Sequence, residues 1–220
     1  MVKFISAKQA VSLFKNGQTL MIGGFLNCGS PTEVIDELIK TSLTDFTLIA
    51  NDTAYATENR GKLVVANKIK KAIVSHIGTN TESVILYNAG KLDVDFEPQG
   101  SIVERIRADG AGLGGVLTPV GVGTDVAKGK RIINVDGKDY LLETPLHADI
   151  ALIYANYADR YGNLAFHGSA RNFNAIMPLA ADTVIVEVDH ISEQPLPPDN
   201  VIVPSIYVDY IIQRGQNGTD

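Results

Sequence analysis

The chain has 220 residues, 45% of them hydrophobic and 20% charged, with a formal net charge of −6 and one cysteine. That is enough apolar material for a sizeable core and too little charge for a disordered chain, and the acidic balance argues against a broad nucleic-acid surface. No disulfide can form within the chain, no apolar run reaches membrane-spanning length and the start carries no leader pattern, so a soluble, cytoplasmic protein with no membrane or nucleic-acid partner is expected.

Ser6 and Gln9 form a capping-box pattern ahead of a helix whose inner face is Ala7, Ala10, Val11 and Phe14, ended by Asn16-Gly17. Leu20-Met21-Ile22 reads as a buried parallel strand, and Gly23-Gly24 at its end as a tight, ligand-accessible turn. Ser30 as N-cap, Pro31 in the first turn and Glu33 closing a capping box start the next helix, with Val34, Ile35, Leu38 and Ile39 inward. Its first N–H groups are expected to be free for a negative charge. Further strands are expected at Phe46–Ala50, ending in Asn51-Asp52-Thr53, at Lys71–Ser75 and at Val94–Glu97. Helices are expected over Glu82–Ala89 and after a capping box of Ser101 and Glu104. Gly110-Ala111-Gly112-Leu113-Gly114-Gly115 is too glycine-rich for regular structure and reads as a functional loop. Asp136-Gly137 marks a hairpin between Ile132–Val135 and Tyr140–Leu142. Ile150–Tyr154 and Thr183–Val188 complete the core strands, Ala175, Ile176, Leu179 and Ala180 point to a last helix, and a strand or helix closes the chain around Val201–Ile212. Without a composition break or repeat, the expectation is one α/β domain over residues 1–220: an open, mainly parallel sheet with helices on both faces and a small antiparallel hairpin element.

The glycine turn fails as a phosphate-binding P-loop, because Gly24 to Ser30 lacks the lysine, and its spacing is wrong for a dinucleotide fingerprint. Packing glycines in a strand-to-helix turn would also explain it. The wider pattern is more specific. Asn16-Gly17, two residues, three apolar residues, Gly23-Gly24-Phe25, three residues, Gly29, one residue and Pro31 resemble the first signature of the class I coenzyme A transferases. The segments Ile49–Ala54, Ser75–Asn80, Pro98-Gln99-Gly100, Gly110-Ala111-Gly112, Thr118-Pro119 and Ser169–Asn174 are similar to the α subunit of the two-subunit acetate/acetoacetate enzymes (3-oxoacid and butyrate–acetoacetate types).

The resemblance implies transfer of CoA between a short-chain acyl-CoA and a carboxylate by a ping-pong cycle through an acyl-glutamyl anhydride and a glutamyl-CoA thioester. It implies that Gly23 and Gly24 serve as oxyanion-type backbone donors, and that Gly23, Gly24, Phe25, Leu26, Asn27, Cys28 and Gly29 meet the CoA substrate, with Phe25 excluding water. Asn51, Gln99, Gly110, Ala111 and Gly112 are expected at the substrate, and Arg171 near a CoA phosphate or in a surface ion pair. The nucleophilic glutamate is expected on a homologous β subunit, in a heterotetramer of two α and two β subunits; Glu58, in Glu58-Asn59-Arg60-Gly61, is the alternative within this chain. No metal, nicotinamide or flavin is implied: the histidines at 76, 147, 167 and 190 lack metal-ligand spacing, and Cys28 reads as a small loop thiol. The rival readings are a sugar-phosphate isomerase-like enzyme on a similar fold and a non-catalytic subunit that binds CoA thioesters. Outside a secretory route, Asn51-Asp52-Thr53 and Asn217-Gly218-Thr219 match the glycosylation pattern by chance.

Overall fold

The computed structural model describes residues 2–215, so Asn217-Gly218-Thr219 lies outside the described residues. In chain order the regular elements of the first half are β1 (Lys3–Phe4), α1 (Ala7–Ala10), β2 (Thr19–Ile22), α2 (Glu33–Ile39), β3 (Phe46–Ile49), α3 (Gly61–Val65), β4 (Ile69–Val74), α4 (Thr81–Asn88), β5 (Asp93–Phe96) and α5 (Gln99–Gly110). They are followed by β6 (Val116–Thr118), β7 (Arg131–Val135), β8 (Lys138–Glu143), β9 (Ala148–Asp159), β10 (Leu164–Ala165), β11 (Ala181–Ser192) and β12 (Tyr210–Gln213). The main sheet runs β1-β12-β11-β9-β2-β3-β4-β5, parallel throughout, with β10 antiparallel against β9.

Both faces of this sheet are covered, and the strand alternation says so residue by residue. Leu20 and Ile22 of β2, Leu48 of β3 and Ile150 and Leu152 of β9 pack into one apolar cluster with α1, α2 and α3. Met21, Ile49, Ala151 and Ile153 face the other way, onto Ile102 and Ile106 of α5. Successive side chains of a strand point to opposite faces, so near-continuous apolar runs are what a doubly covered parallel sheet requires. β6, β8 and β7 form a separate antiparallel sheet, in which Asp136 (φ 49) and Gly137 (φ 79) make the expected two-residue turn.

Four local expectations are corrected. α2 starts at Glu33 with no cap from the side chain of its own N-cap residue, Thr32, and Ser30 instead donates its hydroxyl to the Leu26 carbonyl at 3.1 Å. α5 starts at Gln99, directly after Pro98, so Ser101 is a buried first-turn residue rather than a cap. The glycine-rich stretch is loop from Ala111 to Gly115, but Gly110 is the last residue of α5, and Val116–Thr118 just beyond pairs with β8. The last helix is replaced by short 3-10 turns at Gly168–Arg171, Phe173–Ala175 and Met177–Ala180. Pro178 lacks the N–H that a continuing α-helix needs.

Candidate active site at the glycine loop

The parallel order reverses at β2. β3, β4 and β5 continue to one side, while β9, β11 and β12 lie on the other. The crevice beyond the carboxyl ends of the strands at such a switch point is the usual ligand site of an open α/β sheet, and the Gly23–Ser30 loop rises there. The Gly23 N–H completes the ladder to Leu152 O at 3.0 Å. A Cβ at Gly23 would stand 1.8 Å from Asn174 Oδ1, and Gly24 combines φ +110 with a virtual Cβ 2.3 Å from Ser30 Oγ. Both glycines are therefore dictated by close approach, and the second by backbone conformation as well.

Two asparagines from the 3-10 turns hold the loop from the β9 side. Asn174, fully buried, accepts from Tyr154 N–H at 3.0 Å and donates to the carbonyls of Gly29 and Ala170, each at 2.8 Å. Asn172 accepts from Gly24 N–H at 3.2 Å and donates to Cys28 O at 3.1 Å. Phe25 and Cys28 exchange backbone hydrogen bonds of 3.0 and 2.9 Å, closing a two-residue hairpin with Leu26 at φ 48. Phe25 at its base is half-exposed, and Cys28 Sγ lies 3.2 Å from Ser169 Oγ. The N–H groups of Gly23 and Gly24 are thus both engaged within the protein, the first by the sheet and the second by a neutral side-chain oxygen.

From the β3 side the loop meets a buried ion pair, Asp52–Arg60, with both side chains wholly out of solvent. Burial pushes the Asp52 carboxyl up, but the Arg60 guanidinium and the N–H donors of Asn51, Leu26 and Ala54 outweigh it and hold the group below its usual value. Burial draws the Arg60 guanidinium down while Asp52 opposes the shift. Asn51, also buried, donates to Asp52 Oδ2 at 2.6 Å, which leaves its own Oδ1 buried without a partner among the described residues.

The N-terminus of α2 is already occupied. Glu187, on β11 and fully buried, accepts from Thr32 N–H at 2.8 Å and Val34 N–H at 2.7 Å. The negative charge that the helix start was expected to meet is the protein's own carboxylate. Arg214 Nε lies 3.7 Å from it and the same guanidinium donates to Asp189 at 3.2 Å, while Asp189 accepts from the Tyr154 hydroxyl, whose pKa is raised first by burial and then by that bond. Burial pushes the Glu187 carboxyl up to about 7, against the opposing N–H donors and Arg214. A carboxyl with a raised folded pKa binds more protons folded than unfolded, so its contribution favours folding below about 4.5 and is lost as pH rises through about 7. The shift corresponds to about 3 kcal/mol. Urea midpoints measured from pH 5 to 8 should fall more steeply for the wild type than for Glu187→Gln; parallel curves would contradict this.

Of the residues singled out in the sequence, the structure gathers some and separates others. Gly23 to Gly29 and Asn51 converge. Gln99 is exposed at the carboxyl end of β5, three strands and so about 14 Å from β2. Gly110, Ala111 and Gly112 do not join the loop. A Cβ at Gly110 would meet Leu179 Cβ at 2.5 Å, just before β11 begins, and β11 begins beside Ala148. That is the opposite edge of the sheet from Gly23, about 13 Å of strand away, because a helix that starts at the carboxyl edge returns the chain to the amino edge. Arg171 is exposed one residue before Asn172 and makes no ion pair among the described residues. Glu58 is exposed. His76 Nδ1 lies 3.3 Å from Ser75 Oγ, and among the described residues no group of three or more His, Cys, Asp or Glu is arranged to hold a metal. No helix among them is long and apolar enough to cross a membrane. Arg60, Asn174 and Glu187 were missed by sequence reasoning. The only signal for the asparagines was their place in the Ser169–Asn174 segment.

Comparison with known proteins agrees with this architecture. The family model for coenzyme A transferase matches residues 4–214. The chain is 46% identical over 211 residues to the acetate CoA-transferase subunit alpha of Escherichia coli, covering 96% of each protein. It is 45% identical over 213 residues to the acetoacetyl-CoA:acetate/butyrate CoA transferase alpha subunit of Clostridium acetobutylicum, covering 96% of this chain and 98% of that one. Among solved structures, an acyl-CoA transferase from Escherichia coli in a thioester complex with CoA superposes with a TM-score of 0.85 over 99% of this chain at 20% identity. This chain spans 48% of that longer protein. Glutaconate coenzyme A-transferase from Acidaminococcus fermentans gives a TM-score of 0.83 at 19% identity, over 96% of this chain and 75% of that one. These two show the same fold, and with the end-to-end matches in sequence they establish that the chain belongs to the coenzyme A transferase family.

Proposed function

We propose that this chain is the α subunit of a heteromeric CoA-transferase, a single domain that moves CoA between a short-chain acyl-CoA and a carboxylate such as acetate, acetoacetate or butyrate. The reading is carried by the match to two relatives named as alpha subunits, each over 96% of this chain and nearly all of the relative. The site's chemistry supports the division of labour. Two carboxylates that brace the loop and the helix after it, Asp52 and Glu187, are fully buried, and both oxygens of each are occupied by N–H donors. Neither is placed to attack a thioester. The resemblance to the two-subunit enzymes assigns the nucleophilic glutamate to a homologous β subunit, in a cytoplasmic heterotetramer of two α and two β subunits.

In the first half-reaction that carboxylate attacks the acyl-CoA thioester carbonyl, forming an acyl-glutamyl anhydride and releasing CoA thiolate. The thiolate then attacks the glutamyl carbonyl, giving glutamyl-CoA and the free acid. A second acid takes the CoA by the reverse steps. This chain contributes the loop beside the reacting carbonyl, Phe25 as a wall against water, and the exposed Arg171 for a CoA phosphate, while the buried Asn51 amide braces Asp52 under the loop. Gly23 is assigned to packing, and Gly24 N–H to a donor whose neutral partner, Asn172, an oxyanion can displace. No resident cofactor is required; CoA is substrate. Purified with its partner, the protein should transfer CoA from acetyl-CoA to butyrate, and this chain alone should not. Turnover by the isolated chain would contradict the assignment, and binding without turnover in the complex would favour a non-catalytic subunit.

A further inference from the structure

The turn after Tyr55 is built around the glycine loop. Arg60 Nη1 donates to the carbonyls of Gly23 at 3.3 Å and Leu26 at 3.4 Å and reaches Ser30 Oγ at 3.5 Å, so one guanidinium touches the start, middle and end of the loop. Its partner Asp52 accepts the Leu26 N–H at 3.1 Å. The ion pair therefore engages both polar backbone groups of Leu26, which is the residue that needs holding. Leu26 sits at φ 48, where a two-residue hairpin often places glycine. Beside the pair, Asn59 Nδ2 donates to Asn27 Oδ1 at 3.0 Å. The turn is shaped for these contacts: Asn59 has φ 47, and a Cβ at Gly61 would stand 2.0 Å from the Tyr55 carbonyl oxygen.

The arrangement leaves two donors open at the surface of the loop. The N–H groups of Gly23, Gly24, Phe25, Leu26 and Cys28 all have acceptors, whereas those of Asn27, Gly29 and the buried Ser30 have none among the described residues. Asn27 is exposed and Gly29 partly so. A buried ion pair is a weak source of net stability, because desolvation offsets much of its attraction. Its use here is geometric. Resting on the functional reading above, we propose that the Asp52–Arg60 pair, with Asn59, is the positioning element of CoA transfer. It fixes the loop so that the amides of Asn27 and Gly29, in addition to that of Gly24, meet the oxygen that becomes anionic when the thioester or anhydride carbonyl is attacked.

The test uses two variants of the natively co-purified complex. Asn59→Gly suits φ 47 and removes only the amide that reaches Asn27; Arg60→Lys keeps the charge beside Asp52 but loses the fork. Expected are a fall in kcat on the order of 10-fold for Asn59→Gly and on the order of 100-fold for Arg60→Lys, as misplaced donors produce. The KM for acetyl-CoA should change little, the melting temperature of Asn59→Gly should hold, and amide exchange at residues 26–29 should quicken in both variants. A wild-type complex without transferase activity would overturn the functional reading and this proposal with it. An active wild type whose Asn59→Gly variant keeps full kcat, or whose loop exchange is unchanged in both variants, would overturn the proposal alone.

Discussion

Arg60→Met is expected to destabilise the protein by about 3–5 kcal/mol, the usual cost of stranding one member of a buried ion pair. The side chain is fully buried, and its loss strips Asp52 of its counter-charge while leaving the carbonyls of Gly23 and Leu26 without this donor. In a chain of this size that corresponds to a fall in melting temperature of roughly 10 °C. Adding Asp52→Asn should recover part of the loss by removing the uncompensated charge, although the Leu26 N–H then depends on a neutral acceptor. Thermal melts of the two variants against wild type check the account; a loss under about 1 kcal/mol for the single variant would mean that water reaches the pair.

Gly23→Ala is the second large effect, and it is expected to abolish transferase activity. A methyl group 1.8 Å from Asn174 Oδ1 forces that side chain away, and with it go the bonds to Tyr154 N–H, Gly29 O and Ala170 O. Each broken bond leaves buried backbone unsatisfied at about 1–3 kcal/mol. Gly17→Ala provides the contrast. Gly17 has φ +77 but open space around its virtual Cβ, so alanine there should cost only about 1–2 kcal/mol of backbone strain and leave kcat unchanged. Assay and melting of the two variants side by side separate a steric role from a conformational one; an active Gly23→Ala would refute the close approach.

These two residues also show where a sequence can and cannot be read. Gly23 and Gly24 were legible because glycine after an apolar strand has few explanations, and the Asp136-Gly137 hairpin for the same reason. The parallel sheet followed from apolar runs such as Leu20-Met21-Ile22, whose alternate residues the structure buries on opposite faces. Arg60 was not legible. Arginine is rarely fully buried, and nothing in Glu58-Asn59-Arg60-Gly61 shows that the chain folds this side chain under a loop some 30 residues earlier. Glu187 sat unremarked inside the apolar strand Thr183–Val188, since its partners Thr32 and Val34 lie over 150 residues away. The missed 3-10 turns share that cause: Asn172 and Asn174 turn toward the glycine loop, and local helical periodicity carries no trace of that demand. Gly110 to Gly112 lie away from the glycine loop for a topological reason, because composition marks a glycine-rich segment without saying to which edge of the sheet a helix delivers it.

The division of the site between two chains is tested most directly by intact mass. The natively co-purified complex, treated with acetyl-CoA and no acceptor acid, should show a covalent CoA adduct on a second chain of similar size and leave this chain unmodified. An adduct on this chain would contradict the account and make Glu58, exposed beside the Asn59–Arg60 turn, the first residue to replace.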